Sequence, residues 1–174
     1  MNQEQKDTRI GKFTASRASD LLVAGTGVTR LSYICDVASS VFGCHENIET
    51  AQMRHGIVNQ TNAFTLVVKP MFKDAIWYDT YMKINDNAGA SPDCFVNETI
   101  PMDIKCPTSI DSYSSEVAKY CKVDASKTNA GYYVQVQVQM LTTEAPYGYL
   151  LFYLTKFESY MEQDWREYAV PLDH

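Results

Sequence analysis

The chain has 174 residues and no C-x-x-C pair, and its five cysteines (Cys35, Cys44, Cys94, Cys106, Cys121) are an odd number. Neither a disulfide framework nor a zinc or iron–sulfur centre is suggested. Long apolar runs are missing too. Tyr149-Leu150-Leu151-Phe152-Tyr153-Leu154 is among the longest, far short of the roughly 20 residues of a membrane span. Met1 to Asp7 is polar with no apolar stretch, so no secretory signal is expected and a reduced, cytoplasmic setting is the default. No repeat, low-complexity tract or Pro/Ser-rich linker interrupts the chain, and residues 1–174 are expected to form one domain. Positive charge is also scarce: Lys+Arg 15 against Asp+Glu 21, a net −6, which argues against a generally basic nucleic-acid coat. With 45% hydrophobic and 21% charged residues the composition excludes a disordered chain.

The N-terminal third has helical periodicity. Thr14 or Ser16 is placed to cap a short helix through Leu21 to Val23. Leu31, Ile34, Cys35, Ala38, Val41 and Phe42 recur at helical spacing before Gly43, and a third helix is expected from about Ile48 to Val67. From Ile76 the pattern turns to β. Segments 76–84, 90–96 and 99–105 are rich in aromatic and β-branched residues, with turns at Asn85 to Gly89 and Asn97-Glu98. A helix is expected from Thr108 to Tyr120, and strands at Tyr147–Thr155 and Trp165–Leu172. The segment Val134 to Met140 alternates strictly and reads as a strand on periodicity alone; on a helix, Gln135 and Gln139 would share a face. The succession indicates an α/β or α+β domain with a mixed sheet flanked by helices.

The chemistry concentrates in Ser91-Pro92-Asp93 and Asp103-Ile104-Lys105-Cys106-Pro107. Asp93 and Asp103 are expected on consecutive strands, ten residues apart across a short turn, so a hairpin can bring their carboxylates together. Lys105, two residues after Asp103, points to the same face of a strand. Two carboxylates and a lysine at one point suit an oxygen-ligated Mg²⁺ beside a phosphate. The plainer alternative is a turn-closing Asp93 with a solvated Asp103–Lys105 patch.

This pattern resembles the PD-(D/E)XK nuclease superfamily. The fuller likeness is to the lambda-exonuclease or YqaJ-like viral recombinase family. Arg9-Ile10-Gly11-Lys12-Phe13-Thr14-Ala15-Ser16 resembles that family's R-x-G-x-x-T-A-S opening. Gly56, Gln60 and Ala63 resemble its G-x-x-x-E-x-x-A helix. Ser91-Pro92-Asp93 and Asp103-Ile104-Lys105-Cys106-Pro107 resemble its S-P-D-G and (E/D)-x-K-C-P motifs, and Tyr133-Val134-Gln135-Val136-Gln137 resembles its tyrosine-and-glutamine helix. The resemblance implies a central mixed sheet flanked by helices with a restriction-endonuclease-like core. It implies Asp93 and Asp103 as ligands of Mg²⁺, with Mn²⁺ as a substitute, and the Ile104 carbonyl completing the protein share of the shell. Lys105 would be the catalytic lysine, and Gln135 would lie on a helix near the scissile phosphate. Arg9 and Ser16 would hold a terminal 5′-phosphate.

The activity so implied is 5′→3′ exonuclease action on double-stranded DNA ends in phage-type recombination, in the cytoplasm of a bacterial host. A single-strand-annealing protein and further copies of the chain would be the partners. Gln60 departs from the pattern, because the motif has glutamate there and an amide loses the charge. This motivates an alternative, a catalytically impaired nuclease-fold protein that holds DNA ends or a partner; a restriction-type endonuclease is a third option. Cys94 also stands where the S-P-D-G turn has glycine. Each residue has a plainer role as well: Arg9 as a surface arginine, Ser16 as an N-cap, Gln135 and Gln139 as polar residues of a half-exposed helix, His55 as a structural histidine.

Overall fold

Two sheets share the β-residues of this chain, seen in a computed structural model that describes residues 8–23, 27–44, 50–78, 80–122 and 131–155. Strand β1 (Phe13–Thr14) leads through a 3₁₀ turn, Ala15–Arg17, into the short helix α1 (Ala18–Leu21). Helices α2 (Val28–Val41) and α3 (Ala51–Ala63) follow, and α3 runs on through a π-helical stretch, Phe64–Val68, and a last turn, Lys69–Met71. Then come β2 (Ile76–Trp77), β3 (Met82–Asn85), β4 (Ala88–Ala90), β5 (Cys94–Val96), β6 (Ile100–Lys105), α4 (Ile110–Lys122), α5 (Gly131–Thr143) and β7 (Tyr149–Phe152). One sheet has the order β1-β4-β3 and the other β2-β5-β6-β7, each with both parallel and antiparallel pairs. No helix among the described residues is long and apolar enough to cross a membrane.

The side-chain alternation of β6 and β7 positions the site. Met102 and Ile104, with Leu151 and Tyr153, enter a core built against Ala63, Val67 and Val68 of the α3 helix and its π-helical extension. Leu150 and Phe152 enter a second core with Val136 and Met140 of α5. In the parallel register Asp103 lies beside Leu150 and Lys105 beside Phe152, so both polar side chains face α5. The sheet therefore carries α3 on one face and α5 on the other.

Several expectations change. Segments 76–84 and 90–96 each split between the two sheets: Ile76–Trp77 pairs with β5, whereas Met82–Asn85 pairs with β4. A β-carbon at Gly89 would lie 2.2 Å from the Met82 carbonyl and 2.6 Å from the Tyr81 ring, so glycine permits this close crossing. Asp93 falls on the bend between β4 and β5 rather than within a strand, yet its backbone continues the ladder by accepting from Tyr78 N–H (2.9 Å) and donating to the Met102 carbonyl (3.0 Å). Val134 to Met140 is helix, not strand. The apolar stripe of α2 lies outward: Leu31, Ile34, Val41 and Phe42 are exposed, and Tyr33 on another face is the buried residue. The strand expected at Trp165–Leu172 lies outside the described residues.

Candidate active site

Asp103 is 1% exposed and is held from α5 and from its own strand. Gln135 Nε2 donates to Asp103 Oδ1 at 2.6 Å and Gln139 Nε2 to the same oxygen at 3.0 Å. The two amides reach one atom because they are a helical turn apart, i and i+4. Lys105 Nζ forms an ion pair with Asp103 Oδ2 at 2.7 Å, donates to Gln135 Oε1 at 2.9 Å and lies 4.6 Å from the centre of the Tyr132 ring. Gln135 thus binds lysine and aspartate together through its two ends.

Asp93 is held from the opposite face. Its Oδ2 accepts from Ile104 N–H at 2.6 Å and from Gln60 Nε2 at 3.2 Å, and Gln60 Nε2 also donates to the Ile104 carbonyl at 2.9 Å. Thr50, whose hydroxyl accepts from Met53 N–H, caps α3 and so fixes the helix that carries Gln60. His55 on the same helix has a buried Nε2 that finds no hydrogen-bond partner among the described residues and is not joined to the acidic pair.

Burial and then the charge of Asp103 push Asp93 up to about 7, against the opposing effect of Lys105 and the Ile104 N–H. For Lys105 burial works downward, but Asp103 and Asp93 outweigh it and the ammonium is held above its ordinary value. Burial also pushes the neighbouring Cys106 thiol up to about 12 and raises Cys94, which leaves oxygen donors as the ligands on offer. Among the described residues no cluster of three or more His, Cys, Asp or Glu side chains forms. Two neighbouring carboxylates with a strand carbonyl beside them still fit a hard divalent cation, which takes oxygen ligands and completes its shell with water.

The N-terminal segment reaches the same place. Arg9 Nη2 donates to Ser91 Oγ at 2.7 Å, and the Ser91 carbonyl accepts from Gln139 Nε2 at 3.4 Å. Ser16 is exposed, lies in the 3₁₀ turn that packs against α5, and has its hydroxyl 3.2 Å from Thr14 Oγ1. It caps no helix: Arg17 is the residue before α1. Arg17 itself is turned to Asp20 (2.9 Å) and Asp36 (2.8 Å), and Lys12 bonds the Asp86 carbonyl. The structure therefore joins Asp103, Lys105, Gln135 and Gln139 in one hydrogen-bonded set, to which Arg9 is attached through Ser91, and Asp93, Gln60 and Ile104 in a second, the two brought side by side by consecutive residues of β6. Two contributors had no role in the sequence reading. Ser91 stood in the S-P-D motif, and Gln139 was one helical turn from Gln135.

No protein-family model matches the chain, and no curated protein sequence does. Solved structures do. An alkaline exonuclease (LHK-Exo) from Laribacter hongkongensis superposes with a TM-score of 0.74 at 22% identity, over 97% of this chain and 80% of that one. The LHK-Exo complex with dAMP gives 0.75 over the same shares. A phage related exonuclease from Haemophilus somnus 129PT gives 0.65 at 18% identity, over 82% of this chain and 68% of that one. The chain has the fold of these exonucleases. It is the fold that the resemblance to the lambda-exonuclease family implies.

Proposed function

We propose that the chain is a metal-dependent exonuclease that hydrolyses double-stranded DNA from 5′-phosphorylated ends in the 5′→3′ direction. It would serve phage-type recombination in a bacterial cytoplasm and leave a 3′ strand for an annealing partner. The observation that carries this is the hydrogen-bonded set of Asp103, Lys105 and Gln135, with the Asp93 carboxylate beside it on the Ile104 N–H, on a fold shared with an alkaline and a phage-related exonuclease. Asp93, Asp103 and the Ile104 carbonyl would hold Mg²⁺ or Mn²⁺. When bound, the ion supplies positive charge against the phosphate and acidifies a bound water.

The residues supply the rest. Lys105, held beside Asp103 and Gln135, would orient or deprotonate the water or neutralise charge developing on the phosphate. Gln135 fixes the ammonium relative to Asp103. Arg9, Ser91 and Ser16 would take the terminal phosphate, since a guanidinium and hydroxyls suit phosphate oxygens. The test is digestion with Mg²⁺ or Mn²⁺ of linear duplex with and without a 5′-phosphate beside closed circular DNA. Loss of the phosphorylated linear form alone is expected. Cutting of the circle would indicate an endonuclease.

One observation favours a second reading, an impaired nuclease-fold protein that holds DNA ends or a partner. Gln60 stands where the family motif has glutamate, and its amide bonds the oxygens a metal would use. Calorimetry that finds no metal binding by the chain as it stands would favour it.

A further inference from the structure

We infer that Gln60 is a plug in the cation position: its side-chain amide substitutes for a divalent ion between Asp93 and the Ile104 carbonyl, and must withdraw before metal enters. This rests on the nuclease reading above. Gln60 Nε2 lies 3.2 Å from Asp93 Oδ2 and 2.9 Å from Ile104 O. Asp93 Oδ2 already accepts from Ile104 N–H and a backbone carbonyl is an acceptor only, so the end of the amide that faces them has to be the NH₂. Its hydrogens carry partial positive charge and occupy the gap between two oxygens otherwise suited to a cation. A glutamate at this position could not make these contacts when ionised. Its oxygens would face two further acceptors, a repulsion that a bound cation or a shared proton relieves. The change from glutamate to glutamine thus replaces a position that favours a metal with one that imitates it. The plug is firmly mounted, because α3 continues without a break to Ala63, which is 0% exposed in the core. Metal loading is therefore a competition between the ion and the Gln60 amide.

Calorimetric titration of Mn²⁺ into the full chain and its Gln60→Ala, Gln60→Met and Gln60→Glu variants tests this. Removing the donors is expected to tighten Mn²⁺ binding about tenfold in Gln60→Met, the factor set by loss of one competing hydrogen bond to a charged group. Gln60→Ala should follow, and Gln60→Glu should bind tighter still. Gln60→Met keeps the side-chain length, so it decides if it and Gln60→Ala disagree. Equal or weaker binding in Gln60→Met overturns the plug and makes Gln60 a bystander or a ligand. No Mn²⁺ binding in any of the four proteins overturns the nuclease reading itself, and the plug with it. A second readout is the Gln60 side-chain amide resonance, identified by its absence from Gln60→Met. It should move on Mg²⁺ addition as the contacts to Asp93 and Ile104 break, and an unmoved resonance at saturating Mg²⁺ would overturn the inference.

Discussion

Replacing Asp93 by asparagine should make the metal-free protein more stable at pH 8. Asp93 is raised from its ordinary 3.8 to about 7, first by burial and then by Asp103. The folded state therefore keeps a proton that the unfolded state has lost between about pH 4 and pH 7, and stability falls as pH rises through that interval. At about 1.36 kcal/mol per decade the full cost is about 4 kcal/mol. Asp93 is only partly buried, and water at the rim lowers the expected value to about 2–3 kcal/mol. An asparagine oxygen still accepts from Ile104 N–H and Gln60 Nε2, so no donor is stranded. At 2–4 °C per kcal/mol for a chain of this size, Asp93→Asn should melt about 5–10 °C higher than the unaltered chain at pH 8 in EDTA, with the gap closing toward pH 4. Thermal melts followed by circular dichroism at pH 4.5, 6 and 8 measure it. Equal or lower melting of Asp93→Asn at pH 8, or a gap that does not change with pH, would refute the reasoning.

Gln139→Leu should cost about 1–2 kcal/mol in urea unfolding: Asp103 Oδ1 and the Ser91 carbonyl lose a donor, partly offset by removal of the buried Gln139 Oε1, which has no hydrogen-bond partner among the described residues. Arg9→Gln should weaken binding to 5′-phosphorylated duplex about tenfold while leaving 5′-hydroxyl duplex nearly unchanged, as one charge-assisted phosphate contact is lost; fluorescence anisotropy with the two ends measures it. Gly89→Ala should lower stability by about 1–3 kcal/mol or more, because the added carbon would sit 2.2 Å from the Met82 carbonyl and force β3 and β4 apart; a thermal melt checks it.

The acidic pair and Lys105 were legible because the i, i+2 relation on a strand and a short hairpin are local geometry, and β6 obeys both. Periodicity misled at α5. The alternation of Val134, Val136 and Val138 with glutamines has a strand's period, and the helix wins because Val136 and Met140 pack on β7 while Gln135 and Gln139 bond Asp103. Only the family resemblance placed Gln135 on a helix. The division of β-residues between two sheets was not legible, since it depends on the crossing at Gly89 and the bend at Asp93 rather than on local pattern. Nor was the outward face of α2, because an apolar stripe states a helix's period but not what it packs against. Arg17 is committed to Asp20 and Asp36, while Arg9 is joined to the acidic site through Ser91. For a chain of net charge −6, DNA would be gripped at a few points and in a strongly salt-dependent way.

The most direct test of a metal-dependent nuclease is mononucleotide release from 5′-phosphorylated, 5′-labelled linear duplex with Mn²⁺, compared between the chain as it stands and Gln60→Glu. Slow release by the former and about a hundredfold faster release by Gln60→Glu is expected, the scale of restoring one charged group to a catalytic site. Intact duplex with both proteins, each shown to be folded, would contradict it.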